Sequence, residues 1–166
     1  PERAARVIYL NKTCYNGLYR ENRAGQFNVP FGRYANPTIC DEPNLRAAAA
    51  VLRGVDIACR PFTTVLDAAR PGDFVYFDPP YDPVSRTANF TGYDRRGFGP
   101  DDQRRLRDVF AELGRRGVRA MLSNSDTPFI RELYAGFPLE QVFVGRVVNS
   151  KVEGRGKVAE VIVRNG

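Results

Sequence analysis

The sequence predicts an α/β fold with a largely parallel sheet, and two observations carry that reading. From about residue 42 onward, short β-branched and aromatic runs alternate with segments of helical periodicity, the pattern of strand–helix–strand units. Within GDFVYFDPPYDP the apolar run Phe74 to Phe77 stops on an acid and two consecutive prolines, as a strand does at the carboxyl edge of a sheet.

Taken in order, Ala4 to Leu10 has the apolar spacing of a helix end. The stretch NKTCYNGLYRENRAGQFNVPFGRY then interleaves Tyr15, Tyr19, Phe27, Phe31 and Tyr34 with Lys12, Arg20, Arg23 and Arg33 and with Asn and Gly. That mixture reads as loops and turns presenting a surface. Glu42 to Leu52 fits a helix around Leu45, Ala48, Ala49 and Leu52, and Val55 to Cys59 a short buried strand. Thr63 to Ala69 reads as helix, and Pro71-Gly72 as the turn into the strand Phe74 to Phe77.

Asp82 to Gly99 is a polar, Gly-containing loop whose length points to a functional role. Pro100 suits a first helical position, Asp101 and Asp102 suit the first turn, and Leu106, Val109, Phe110 and Leu113 form one stripe that Gly117 ends. A strand at Val118 to Ser123, a helix at Pro128 to Tyr134, and strands at Leu139 to Val148 and Val158 to Val163 follow, with the last two expected to pair antiparallel.

The 166 residues suffice for one ordinary core, and 43% hydrophobic with 27% charged residues argues against disorder. No apolar run approaches the roughly 20 residues of a membrane span, so the chain reads as a cytoplasmic protein with no membrane partner. Cys14, Cys40 and Cys59 are scattered, read as small buried hydrophobes, and suggest neither disulfides nor a metal. The absence of histidine excludes His-based triads, general bases and ligands. A net charge of +6 suits a polyanionic partner. The chain opens at Pro1 inside a helical pattern, and we expect it to be a fragment.

The acid-proline turn has its own chemistry. Each proline fixes its φ and biases the residue before it toward extended backbone, so Asp78 and Pro79 are both held by their followers. A carboxylate, a carbonyl without a local donor and the Tyr81 ring are thereby presented together. That set suits a planar group bearing an NH₂. Accepting hydrogen bonds from both hydrogens of a conjugated amine, with Asp78 and the Pro79 carbonyl, would localise its lone pair for attack, while Tyr81 stacks on the base. An ordinary strand-ending turn would leave the same four residues without this role.

The motifs together decide between those readings. The chain resembles the Dam-type (class D12) DNA adenine-N6 methyltransferases, which methylate adenine in GATC, across nearly all its length: DPPY, TANFTGY, YNGLYRENRAGQFNVPFGRY, LSNSD and RGKVAEV match family segments. The resemblance implies a partial Rossmann-like S-adenosylmethionine-dependent methyltransferase sheet with an inserted DNA-recognition segment. Residues 1–45 would hold that segment after the end of a preceding helix, and residues 46–166 the carboxyl-terminal part of the catalytic domain.

It further implies that Asp78, Pro79, Pro80 and Tyr81 are catalytic, and that Asp78 and Phe62 touch the donor. Tyr15 and Asn16 match residues that insert into or support the duplex near a flipped base. Leu18, Arg20 and Pro30 match positions that read base edges, and Arg33 and Tyr34 match nearby DNA contacts. The weaker alternative for Arg20 and Arg33 is a solvated surface charge, and for Leu18 and Pro30 simple packing. Phe90, Thr91 and Tyr93 would shape the loop around the pocket, Asn124 and Asp126 would order a strand end, and Arg155 and Lys157 could touch phosphate.

No GxG-type turn follows any strand here, so the donor site is expected to lie partly outside these residues. The reading is therefore a site-specific adenine-N6 methyltransferase portion, monomeric, acting on double-stranded DNA with S-adenosylmethionine and no metal. A DNA-binding module without catalysis is the alternative. A methyltransferase for another planar amide or amine is disfavoured by the recognition segment.

Overall fold

The computed structural model describes residues 1–22, 24–84, 98–145 and 157–166, with Lys157 described by its backbone alone. Arg23, Phe90, Thr91, Tyr93 and Arg155, named above, lie outside the described residues, as does most of the Asp82 to Gly99 loop. The chain divides into two units, Pro1–Cys59 and Arg60–Gly166.

In the first unit, helix α1 (Glu2–Thr13) is followed at once by a tight turn, Tyr15–Gly17. Asn16 and Gly17 both take positive φ (53° and 63°), and the Leu18 N–H closes the turn on the Tyr15 carbonyl at 3.2 Å. Asn-Gly is the dipeptide that such a turn favours, because Gly is free in that region and Asn tolerates it. The chain then folds back on itself through antiparallel bridges Cys14–Phe31 and Glu21–Phe27.

Helix α2 (Glu42–Val51) starts under an Asp41 cap that accepts from the Asn44 N–H at 3.3 Å, and it buries none of its residues. Val55 to Cys59 is not the buried strand the sequence predicted: Val55 is 54% and Ile57 73% exposed. A short apolar run becomes a strand only where a ladder accepts it, and none does among the described residues. Cys14 is buried as expected, whereas Cys40 and Cys59 are exposed.

The second unit opens with a 3₁₀ turn (Phe62–Thr64) and helix α3 (Val65–Ala68), then reverses where the Asp73 N–H meets the Arg70 carbonyl at 3.0 Å. Strand β1 (Phe74–Phe77) follows, then helix α4 (Pro100–Arg115), strand β2 (Arg119–Ser125), helix α5 (Pro128–Leu133), and strands β3 (Leu139–Gly145) and β4 (Lys157–Arg164). These bounds match the predicted elements to within a few residues, the last three positions of the expected Leu139–Val148 strand lying outside the described residues.

Helix α4 ends in a Schellman arrangement. Val118 N–H reaches the Leu113 carbonyl at 2.9 Å and Gly117 N–H the Gly114 carbonyl at 3.0 Å, with Gly117 at φ 74°. Its buried stripe is Gln103, Leu106, Val109, Phe110 and Leu113, so the predicted apolar positions are joined by one polar one.

The sheet order is β1-β2-β4-β3. Among the described residues only β1 and β2 run parallel, with Phe77 opposite Leu122, while β4 is antiparallel to both β2 and β3. The expected largely parallel sheet is therefore mixed. A parallel pair needs a crossover such as α4, and no helical periodicity separates β3 from β4.

Phe110, fully buried, sits edge-on to Tyr134 (5.8 Å between centroids) and Phe137 (5.3 Å) and tilted to Phe77 (6.3 Å). Val161 and Val163 of β4 and Leu122 of β2 complete the core. Asn165 fastens the sheet's far end, accepting from the Ala120 N–H at 2.7 Å and donating to the Val118 carbonyl at 3.1 Å. Phe110→Ala removes the ring that joins helix, sheet and α5, and is expected to cost about 3–5 kcal/mol. Urea unfolding measures this; an unchanged midpoint would show that the hub is dispensable.

Candidate functional site

Strand β1 delivers the acid-proline turn to the carboxyl edge of its parallel pairing with β2. Asp78 and Pro80 are exposed, and Pro79, Tyr81 and Asp82 are half-buried. Beneath the turn lies a set of polar side chains from β2, α4, β4 and the start of α5.

Ser123 Oγ donates to Asp78 Oδ1 at 3.1 Å, so one carboxylate oxygen is already oriented. Asn124, with no exposed surface, accepts on Oδ1 from the backbone N–H groups of Asp82 and Ser125, both at 2.9 Å. Two N–H donors on that oxygen leave the Asn124 amide nitrogen to point the other way. It donates to Gln103 Oε1 at 3.1 Å, and Gln103 Nε2 in turn donates to the Pro80 carbonyl at 2.9 Å. Backbone donors therefore settle the orientation of both amides. Thr127 Oγ1 holds the Asp82 carboxylate at 2.7 Å while capping α5 through the Ile130 N–H.

These bonds sort the turn's acceptors. The Pro80 carbonyl is spent inward on Gln103, whereas the Pro79 carbonyl meets no donor among the described residues. Asp78 and Pro79 thus remain as acceptors on the exposed side. Tyr81 Oη donates to Glu160 Oε2 at 3.4 Å. Burial pushes its phenol up to about 12; a hydrogen bond with Ser123 opposes that, and the Glu160 and Asp78 carboxylates reinforce it. Farther along, hydrogen bonding to the Arg131 guanidinium holds the Asp126 carboxyl below the usual carboxylate range, and Gln141 adds a second donor, tying β2 to α5 and β3.

Beside the turn is a recess of about 390 Å³, whose walls include Pro61, Phe62, Phe98, Asp78, Pro79 and Pro80. Phe62 and Phe98 meet edge to face at 5.9 Å, and the Arg105 guanidinium lies 5.7 Å from the Phe62 ring centroid. The structure thus brings Phe62 to Asp78, Pro79 and Pro80.

In the first unit, Tyr15, Asn16, Pro30, Arg33 and Tyr34 line a separate concavity of about 440 Å³. The Tyr15 N–H binds the Pro30 carbonyl at 2.8 Å, which joins its two sides. Gly32 lets the Tyr34 ring lie against the backbone there, since a Cβ on it would sit 2.3 Å from that ring and displace it. Leu18 and Arg20 are exposed outside that lining. Arg20 is oriented by Asn28, which accepts from its Nε through Oδ1 at 2.8 Å and from its Nη2 through the backbone carbonyl at 2.9 Å. The Nη1 edge of the fork meets no partner among the described residues. No helix among the described residues is long and apolar enough to cross a membrane.

Gln103 did not emerge from the sequence as a site residue. It lies three residues before Leu106 on the buried stripe of α4, and a polar residue in such a stripe is the signal that would have found it. Asn124, expected only to order a strand end, also grips the turn.

The Tyr81 shift has a testable sign. A phenol whose folded value is raised keeps its proton longer in the folded chain, so its contribution to stability is complete below about pH 10 and fades as pH rises toward about 12. Tyr81→Phe is expected to flatten the loss of stability between about pH 9 and about pH 11, read as denaturation midpoints at the two values. Equal slopes in both proteins would count against a proton held there.

Comparison with known proteins places the chain in a family. The family model for D12 class N6 adenine-specific DNA methyltransferases matches residues 1–146. The chain is 45% identical over 166 residues to the Type II methyltransferase M.MjaIII of Methanocaldococcus jannaschii, covering 99% of this chain and 57% of that protein. It is 38% identical over 160 residues to the DNA adenine methylase of Escherichia coli strain K12, covering 96% of this chain and 57% of that one. Against the DNA N-6-adenine-methyltransferase of Escherichia phage P1 it is 38% identical over 162 residues, covering 96% of this chain and 21% of that protein. The chain thus spans little more than half the length of the first two. It belongs to the D12 class of N6 adenine-specific DNA methyltransferases.

Proposed function

We propose that this chain is the catalytic and DNA-recognition portion of an enzyme that transfers a methyl group from S-adenosylmethionine to adenine N6 in duplex DNA, in GATC. The observation that carries the reading is the pairing of the half-anchored Asp78 carboxylate with a Pro79 carbonyl that meets no donor among the described residues, on one rigid turn.

Adenine N6 is a poor nucleophile because its lone pair is delocalised into the ring. Asp78 and the Pro79 carbonyl accept from its two hydrogens, favour a pyramidal nitrogen, and meet the positive charge that develops as it attacks. Tyr81, neutral at any physiological pH, offers its ring to the base while its hydroxyl is held by Glu160. The base must leave the duplex to reach the turn, at a cost of a few kcal/mol that these contacts offset.

The donor supplies a sulfonium methyl: the N–C bond forms as the C–S bond breaks, sulfur keeps the electron pair, and the amine's proton goes to Asp78 or water. The recess fits its flat, apolar portion, with Phe62 and Phe98 as walls and Asp78 on the rim. A DNA-binding module without catalysis is the second reading, since no GxG-type turn for the remainder of the donor follows a strand in these residues.

In the first unit Arg20, with one edge open, would fork onto a guanine, and Leu18 and Pro30 would supply apolar contact to a thymine methyl. Tyr15 and Asn16 would support the duplex beside the extruded base, and Arg33 and Tyr34 would add contacts.

Radiolabelled methyl transfer to GATC and scrambled duplexes tests the reading, on this chain and on a version with an upstream family segment restored. Asp78→Ala in the restored protein is expected to lower the rate by about 10²-fold or more while duplex binding persists. Undiminished transfer would overturn the mechanism; transfer by neither wild-type version would leave the binding-module reading standing. Arg20→Ala is expected to cost about 1–3 kcal/mol in binding and to relax discrimination at one guanine, measured by fluorescence anisotropy with single-base substitutions. Equal losses on every sequence would reassign Arg20 to phosphate.

A further inference from the structure

We propose that Gln103 and Asn124 act as one positioning clamp that sets the acceptor geometry of the acid-proline turn for methyl transfer. The proposal rests on the methyltransferase reading and goes beyond it by naming residues that touch neither base nor donor.

The argument begins with which backbone angles are free. In Asp78-Pro79-Pro80 the two rings fix φ at both prolines, and each proline biases ψ of the residue before it. The soft angle left at the end of the run is ψ of Pro80, which decides how the segment leaves the turn. Gln103 holds the Pro80 carbonyl at 2.9 Å and Asn124 holds the Asp82 N–H at 2.9 Å, one on each side of Tyr81. The two amides are joined at 3.1 Å, so the grips on either side of Tyr81 are coupled.

Burial makes the choice of residue informative. Gln103 is 2% exposed and Asn124 has no exposed surface, and Gln103 continues a stripe whose other members are all apolar. Replacing a buried hydrogen-bonded pair by apolar groups of the same shape is often neutral for stability. An apolar residue at position 103 would serve packing alone; the amide adds a fixed direction for the turn. Every polar atom of the pair is satisfied, since Arg107 Nε and Tyr134 Oη are the buried side-chain atoms left without a partner among the described residues.

Two apolar variants, Gln103→Met and Gln103→Leu, break the clamp at one end with little change in volume. With the upstream family segment restored, kcat is expected to fall about 10- to 100-fold, while KM for the GATC duplex stays within about twofold. On this chain by itself, hydrogen exchange at the Asp82 amide is expected to speed up, although Gln103 does not touch it, while the β2 and β4 amides keep their protection. A folded variant with wild-type kcat, or one whose loss lies in KM, would overturn the catalytic part. Unchanged exchange at Asp82 would overturn the coupling. Should the wild type transfer no methyl, the function reading fails and the positioning role with it, and the exchange measurement decides whether the clamp exists as a unit. Having two variants guards against one that fails to fold.

Discussion

One side-chain oxygen holds the candidate site together. Asn124 Oδ1, on a side chain with no exposed surface, receives two backbone N–H groups, one from its own strand and one from the end of the acid-proline turn. In that setting an unmet N–H costs about 1–3 kcal/mol, so the turn has a strong reason to stay where the oxygen is. The sheet places the oxygen. β2 runs parallel to β1 on one side and antiparallel to β4 on the other, and the pairing of Asn124 with Val161 keeps its side chain at a fixed height below Asp82. The aromatic hub at Phe110 serves the same end, because α4 must lie against the sheet for Gln103 to reach Pro80.

Local patterns were legible in the sequence, and relations between distant segments were less so. Helix α4 could be read because capping, stripe and terminal glycine agree within one window, and β1 because the prolines mark its end. The antiparallel pairing of β3 with β4 was read from their short link, but the antiparallel pairing of β4 with β2 was hidden, since strand neighbours are set by contacts tens of residues apart. Val55 to Cys59 shows the converse failure: the run is apolar enough for a strand, but burial is conferred by neighbours, and its residues are exposed.

The site divides along the same line. Asp78, Pro79, Pro80 and Tyr81 are contiguous and carry chemistry that can be argued from four letters. Ser123, Gln103 and Glu160, which orient them, come from three different segments, and only the fold assembles them. Asn124 was noticed as part of a motif, yet its reach to Asp82 spans 42 positions of sequence.

Both units solve a common problem by similar means. A side chain that meets a flat, hydrogen-bonding partner, as the proposed function asks of Asp78 and Arg20, loses affinity to its own conformational freedom, and a group held in place beforehand loses less. In the second unit Asp78 is oriented by Ser123, and the turn that carries it by a pair of buried amides. In the first, Asn28 occupies one edge of the Arg20 fork and leaves the other open, so the guanidinium is turned before any partner arrives. The Asn16-Gly17 turn is a third instance, since left-handed backbone at a non-glycine residue persists only where the surrounding chain over-determines it. Asn11 Nδ2 does so here by binding the Gly17 carbonyl at 2.9 Å, which ties the turn back to α1. Amide side chains recur in these roles because one group both donates and accepts, and can therefore link two backbone segments in a fixed relation without adding charge to the site.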